Sequence, residues 1–450
     1  MKKLSNFLSN LALCFSILLL SYIFYKSEIV YSGAKFHYYL KYYLFSLLLI
    51  ILAIFSYFLK KEIKVKIILI LFSSLLGLYL VEGILTVNHI FFKAKMEKTY
   101  RKEIKEMKSN YDTRTKLQVY EDLKRDDPKV TLYVSPTNFI DDSDQTILPL
   151  SSISNTKTIF CNENGYYSIY QSDRYGFNNP DDEWDKEQIE FLLVGDSFTQ
   201  GACVNEPDTI GGNLRRILRT KNGIINLGHG GYGPLTEYAT LREYMPLINT
   251  KKVLWIYYEA NDLSNLSKEL KNEILLNYLN DQHFTQNLKL KQDKIDTKLN
   301  EKFLEELNLK LDRQLLEKQA VEEINFLHFL KMYKIRKITI ENFFSSPDPK
   351  FMKILNLAKE FVESSGAKLY FVYLPESARY KDKLFLQDTS RKYKKVIKII
   401  ENLEIPIIDL NKDLFQKHND PLSLFPLRAF NHYNEEGYRL ASEVILNKIN

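Results

Sequence analysis

Phe191-Leu192-Leu193-Val194-Gly195-Asp196-Ser197-Phe198-Thr199-Gln200-Gly201 decides how the rest of this chain is read. An apolar run enters a small polar turn with one serine at its crest. The run is short, continuous and bounded by turn residues, which is the pattern of a strand buried on both faces. The turn that leaves the end of such a strand is where an open parallel sheet presents reacting groups. A serine there is a useful nucleophile only if other groups take its proton and stabilise the oxyanion that forms.

Further strands of the same kind follow at Gly223–Leu227, Lys252–Tyr258, Lys368–Leu374 and Ile405–Leu410, with Ile189–Val194 as the first. Amphipathic helices separate them at about Asp208–Thr220, Leu235–Ile248, Lys350–Ser365 and Thr389–Leu403, and a last one runs from Glu435 to Lys448. Apolar strands alternating with helices predict an α/β fold, a doubly wound parallel sheet with right-handed crossovers. The rhythm breaks at 264–345, a charged helical stretch whose leucines include Leu304, Leu307, Leu315 and Leu316. Its position after a strand predicts either an exposed helical insertion, with an oligomer contact as one use for it, or a cap at the sheet edge.

Upstream, 129–187 reads as short strands and turns, with Val130–Val134 and Gly165–Tyr170 as strands and Ser172–Pro180 as a turn-rich segment. Residues 93–128 are charged and helical in pattern, closed by Pro128. Three apolar runs fill the N-terminus: Phe7–Tyr25, Tyr42–Leu59 and Ile67–Val87, the last with one acid, Glu82. Each can cross a hydrocarbon core of about 30 Å. Lys2, Lys3, Lys60, Lys61, Lys64 and Lys66 against Lys26, Lys35 and Lys41 put the N-terminus and second loop in the cytoplasm. Bulky residues follow the first run, so it reads as an anchor rather than a cleaved signal. Glu82 falls where an outer interface is expected and reads as a snorkelling acid. The division that results is a three-helix transmembrane anchor at 1–92, a membrane-proximal segment at 93–187 and a catalytic domain at 188–450.

An apolar content of 45% excludes a disordered chain. The net charge of +6 arises from dispersed and membrane-flanking lysines without a basic, aromatic-interleaved stripe, which argues against nucleic-acid binding. Cys14 lies in the first apolar run, whereas Cys161 and Cys203 fall in the outside region, where a disulfide between them is permitted. No cysteine–histidine spacing suggests a metal, and no cofactor motif is present.

Four loops carry the chemistry. Ser197 follows the first core strand, Asn226–Pro234 the second and Glu259–Asp262 the third, while Asn431–Tyr438 precedes the last helix. A hydroxyl nucleophile at Ser197, an imidazole at His432, a closely approachable backbone N–H at Gly231 and an amide donor at Asn261 together suit ester chemistry. Among the neighbours, Asp196 reads as holding the turn and His229 as structural. Asp262 reads as a helix cap or ion-pair partner, and Glu259 as an ion-pair partner of Arg174 or Arg242.

Gly195-Asp196-Ser197-Phe198, the glycine of the second loop, Asn261-Asp262 and the near-terminal His432 resemble, in order and approximate spacing, the SGNH (GDSL-type) hydrolases over about 188–450. The resemblance implies a flavodoxin-like sheet and serine ester chemistry on carbohydrates, lipids or peptidoglycan. It implies Ser197 as nucleophile, His432 as base, and Gly231 and Asn261 as oxyanion donors, with Gly228 and Gly230 as alternatives to Gly231. The family's aspartate three residues before the histidine is here Ala429. A backbone carbonyl, Asp409 or Asp420 would then have to orient the ring. Fold, anchor and resemblance together predict a membrane-bound esterase or O-acyl (acetyl) transferase facing the periplasm or outer surface. Its partners would be an acylated envelope glycan or acyl donor, the lipid bilayer, and membrane acyltransferase or glycan-assembly proteins. The rivals are a non-catalytic scaffold or glycan-binding subunit, suggested by Ala429 and the insertion, and a lipase or thioesterase.

Overall fold

The computed structural model describes residues 2–30, 36–107, 111–141, 146–313, 328–336, 347–381 and 386–449. Lys35, Leu315 and Leu316 lie outside the described residues. The chain divides into two compact units, 1–89 with 324–338, and 90–323 with 339–450.

In the first unit, helices α1 (Lys2–Phe24) and α2 (Phe36–Ser56) lie side by side, with Ser56 donating to the Ser9 hydroxyl at 3.0 Å. Helix α3 covers Lys61–Met107, 47 residues, or about 70 Å at helical rise, and its residues from Ile90 onward belong to the second unit. Among the described residues, two helical stretches, Ser9–Val30 and one in α3, are long and apolar enough to cross a membrane; the described part of the middle run, Tyr42–Ser56, is a shorter apolar helix. The three spans expected from the sequence are therefore not confirmed among the described residues. Their large apolar side chains are uncovered by protein, Phe15, Leu71 and Phe72 among them. Glu82 is not a snorkelling acid: it is buried, and its carboxylate accepts the backbone N–H groups of Lys334 (2.9 Å) and Ile335 (2.8 Å).

The second unit is built on a five-stranded sheet of β4 (Ile189–Gly195), β5 (Gly223–Asn226), β6 (Thr250–Tyr258), β7 (Lys368–Leu374) and β8 (Ile407–Asp409). The spatial order is β5-β4-β6-β7-β8 and every pairing is parallel. Counted along the sheet's own strands this is 2-1-3-4-5, the flavodoxin-like order. Alternation along each strand divides the core into two layers. Leu192, Val194, Trp255 and Phe371 face one layer, and Phe191, Leu193, Ile256 and Val372 face the other. Helix α7 (Pro234–Tyr244) and the helix Pro349–Ser364 bury residues in the first layer. Helix α6 (Ile210–Leu218) and the C-terminal helix Glu435–Ile449 bury theirs in the second.

The first part of the 264–345 stretch is not an exposed insertion. Leu266, Leu275, Tyr278, Leu288, Ile295, Leu299 and Phe303 are buried in the same layer as Trp255. They belong to α8 (Asp262–Glu269), α9 (Glu273–Asn280), the turn Leu288–Leu290 and α10 (Gln292–Arg313). Charged residues dominate the composition there, and only the apolar minority at helical spacing is inward, which hid its core role.

A second, small sheet joins β1 (Thr131–Leu132), β2 (Lys157–Ile159) and β3 (Ile169–Gln171). The turn-rich segment that follows is a buried buttress. Asp173 accepts from the backbone N–H groups of Tyr175 and Phe177, both at 2.9 Å, from the Asn179 amide and from the Trp184 indole. Burial raises its carboxyl to about 6. Asn179 in turn donates to the Asn226 carbonyl at the end of β5, and Asn178 donates to the Gln200 carbonyl in the serine turn. Asp173→Ala leaves these buried donors unmatched and should destabilise the protein by about 3 kcal/mol or more. A denaturant midpoint within error of the wild type would remove this role.

Candidate active site

Strand β4 ends at Gly195 because no side chain fits there: a Cβ would lie 2.5 Å from the Ile256 carbonyl oxygen and 2.2 Å from the Thr199 hydroxyl. The chain then turns into a single helical turn, α5 (Ser197–Gln200), capped by Asp196, whose carboxylate accepts the Phe198 N–H at 2.9 Å. The aspartate thus holds the turn, as its position predicts. Ser197 stands at the start of α5, partly exposed, between buried Asp196 and Phe198.

His432 reaches this serine from just before the C-terminal helix. Its Nε2 lies 3.0 Å from Ser197 Oγ. Its Nδ1 lies 3.0 Å from Glu163 Oε1. The carboxylate acceptor assigns the ring proton to Nδ1 and leaves Nε2 free to accept the serine hydroxyl. The His432 and Glu163 side chains are 22% and 18% exposed, so the chain of hydrogen bonds opens to solvent at the sheet edge. A hydroxyl, an imidazole and a carboxylate in this series can take a proton from an attacking oxygen and return it to a leaving one.

Sequence reasoning missed Glu163. Neither residue offered in its place serves. Asp409 is bonded to the Tyr393 hydroxyl, and Asp420 is paired with Arg428. The Ala429 carbonyl accepts from Lys381 Nζ at 2.8 Å rather than from the imidazole. The acid instead comes from 269 residues before the histidine. A signal for it was present in the cysteines. Cys161 and Cys203 form a disulfide, which fastens the loop carrying Glu163 to the chain just beyond the serine turn. Asn164 adds a hydrogen bond to the Cys203 carbonyl at 2.8 Å. The Cys203 sulfur lies within 4.8 Å of the Glu163 and His432 ligand atoms, but in the disulfide it is no thiolate for a metal.

Of the three glycines considered in the loop after β5, hydrogen bonding singles out one. The Gly228 N–H donates to Asn226 Oδ1 and the Gly230 N–H to Gln200 Oε1, both at 2.8 Å. Among the described residues the Gly231 N–H donates to no partner. Gly231 has φ +87°, a left-handed conformation open to glycine at little cost, and it abuts Thr137. Asn261 occupies the N-cap position of α8 without capping it. Its Nδ2 donates instead to Asp196 Oδ2 at 3.2 Å, beside the serine.

The remaining neighbours are structural. His229 is buried among Phe177, Tyr133 and Tyr232, and burial pushes its imidazole down to about 3, so it stays neutral. Asp262 accepts the Tyr258 N–H at 2.9 Å and is fully buried, which holds its carboxyl well above the usual range. Glu259 pairs with neither Arg174 nor Arg242. Its carboxylate takes the Arg379 guanidinium and the Glu376 N–H, while Arg174 is held by Asp181 and Asp185 and Arg242 reaches the Phe284 carbonyl. Sequence distance concealed Arg379, which follows β7, the neighbour of β6 in the sheet. On the histidine side, Ser377 donates to Asn431 Oδ1 at 2.8 Å and Lys381 donates to Ser377 Oγ at 2.8 Å; burial lowers the Lys381 ammonium to about 8.

No protein-family model and no curated protein matches the chain. Among solved structures it is similar to a lipase/acylhydrolase from Enterococcus faecalis, with 13% identity, 58% of this chain and 95% of that one covered, and a TM-score of 0.32. A member of the lipolytic G-D-S-L family from Veillonella parvula gives 14%, 58%, 97% and 0.30. An acetyl xylan esterase gives 14%, 58%, 100% and 0.31.

Proposed function

We propose that this chain is a membrane-anchored serine ester enzyme of the SGNH type, which hydrolyses or transfers an acyl group, most simply acetyl, on a glycan outside the cytoplasm. The observation that carries the reading is the series Ser197 Oγ, His432 Nε2, His432 Nδ1 and Glu163 Oε1, with 3.0 Å at each contact. In this reading Ser197 attacks the ester carbonyl while His432 Nε2 accepts its proton. The oxyanion of the tetrahedral intermediate is met by the N–H groups of Ser197 and Gly231 and by Asn261 Nδ2. Collapse breaks the ester C–O bond, and the His432 proton passes to the departing alcohol. Water attacking the acyl-serine makes the chain an esterase; a sugar hydroxyl makes it a transferase.

Of the two features that favour a non-catalytic scaffold, Ala429 and the insertion, the first loses its weight because Glu163 stands against His432. Anchoring draws on the two apolar helices, whose uncovered leucine and phenylalanine side chains suit lipid rather than water. The Cys161–Cys203 disulfide agrees with an oxidising compartment. The glycan and the acetyl group follow from the compartment and the family resemblance.

A fluorophosphonate probe tests the reading directly. The full-length chain in detergent should acquire one adduct, at Ser197, and should cleave nitrophenyl acetate faster than long-chain nitrophenyl esters. No adduct at Ser197 would favour the scaffold, and a preference for long acyl chains would favour the lipase.

A further inference from the structure

Glu163 and His432 sit on loops that no strand pairing joins, yet both loops are fastened to the same helix. The last turns of α3 carry Tyr100, Glu103 and Met107. Tyr100 meets Phe430 edge to face, with ring centroids 5.7 Å apart, two residues before His432. Glu103 lies 3.5 Å from the Arg428 guanidinium, four residues before it. Leu427 and Arg428 both have positive φ, +47° and +52°, a conformation that side chains with a Cβ rarely adopt without outside contacts to hold it.

The same end of the helix grips the other loop. Met107 and Tyr111 close over Gly165, where an added Cβ would come within 2.5 Å of the Met107 methyl and 3.2 Å of the Tyr111 ring. Just beyond the helix, the Asp112 N–H donates to the Gly165 carbonyl at 2.7 Å, and the Asn162 amide donates to the Asp112 carbonyl at 3.0 Å. The Tyr100 and Tyr111 hydroxyls, 2.9 Å apart, tie the two contacts together. Glu163 lies inside the 162–165 stretch held in this way.

Resting on the ester-enzyme reading, we infer that Tyr100 and Met107, at the end of the helix that begins as an apolar span, are positioning residues for the reaction. They hold the Glu163 loop and the His432 loop at the separation that the carboxylate–imidazole hydrogen bond needs. The disulfide fixes the Glu163 loop to the serine turn, and α3 fixes it to the histidine. The last turns of α3, which belong to the second unit, are therefore part of the active-site frame. A misplacement of about 1 Å in such a frame costs on the order of a hundredfold in rate.

The test uses the full-length chain in detergent with nitrophenyl acetate. Tyr100→Ala combined with Met107→Ala should lower kcat by about ten- to a hundredfold, leave KM within about twofold and keep a cooperative melt. Tyr100→Phe, which retains the ring against Phe430, should keep most of the wild-type kcat. If the double variant does not fold, Tyr100→Leu carries the same expectation alone, since it keeps apolar bulk but loses the ring edge and the hydroxyl. Wild-type kcat in a folded double variant, or equal loss in Tyr100→Phe and Tyr100→Ala, would overturn the inference. A wild-type chain that neither turns over nor labels at Ser197 would instead overturn the ester-enzyme reading beneath it.

Discussion

Ser197→Ala and His432→Ala should each lower kcat by about five to six orders of magnitude, and the double variant should be no worse than either alone. The reason is that in the proposed reaction the two groups perform one step. At 3.0 Å the imidazole is placed to remove the hydroxyl proton as the oxygen attacks, and neither group has a use without the other. Alanine at 197 leaves the oxyanion donors in place, so a residual rate above that in water should persist. Both side chains are partly exposed, so Ser197→Ala should melt near wild type, while His432→Ala, which also removes the partner of Glu163, should cost a little more stability. Steady-state rates with nitrophenyl acetate on the two singles and the double decide the matter. Losses that multiply would mean that serine and histidine act independently.

Glu163→Gln should lower kcat by about four orders of magnitude with KM little changed. The glutamine has the shape of the glutamate but no negative charge. It can orient the ring with the wrong nitrogen protonated, and it cannot stabilise the imidazolium that forms as the serine attacks. Asp409→Asn is the matched control, because Asp409 bonds Tyr393 and pairs with Lys412, away from the imidazole. It should leave kcat within about threefold. If Asp409→Asn were the damaging change and Glu163→Gln the harmless one, the assignment of the orienting acid would fall.

Local pattern made most of the fold legible. Each core strand is a run of apolar residues ended by glycine, asparagine, proline or acid, and each helix has an inward stripe, so element type and order followed from periodicity. The parallel arrangement followed from helices lying between strands, and with it the convergence of the strand ends. Ser197, His432 and Asn261 could be picked out because each stands beside a strand end or helix start that the sequence already marks. The glycine choice was less determined, since Gly228, Gly230 and Gly231 are chemically alike. What separates them is whether each N–H is already used by Asn226 or Gln200.

The core role of 264–303 was concealed because its buried residues are spaced among many charges, and the charges set the composition while the few apolar positions set the packing. The buried ion pair of Glu259 with Arg379 was out of reach for another reason: strands β6 and β7 are neighbours in the sheet although more than a hundred residues lie between those two side chains.

By itself the sequence determined the strands, the helices, their order, the apolar N-terminal helices and three of the polar groups that meet at the sheet edge, because these depend on residue type and on neighbours a few positions away. The tertiary structure alone decided which acid faces the histidine, which glycine keeps a free N–H and what holds the two loops together. Those outcomes depend on contacts closed by a disulfide, a long helix and irregular loops, some of them across hundreds of residues, and no local periodicity encodes where such segments meet.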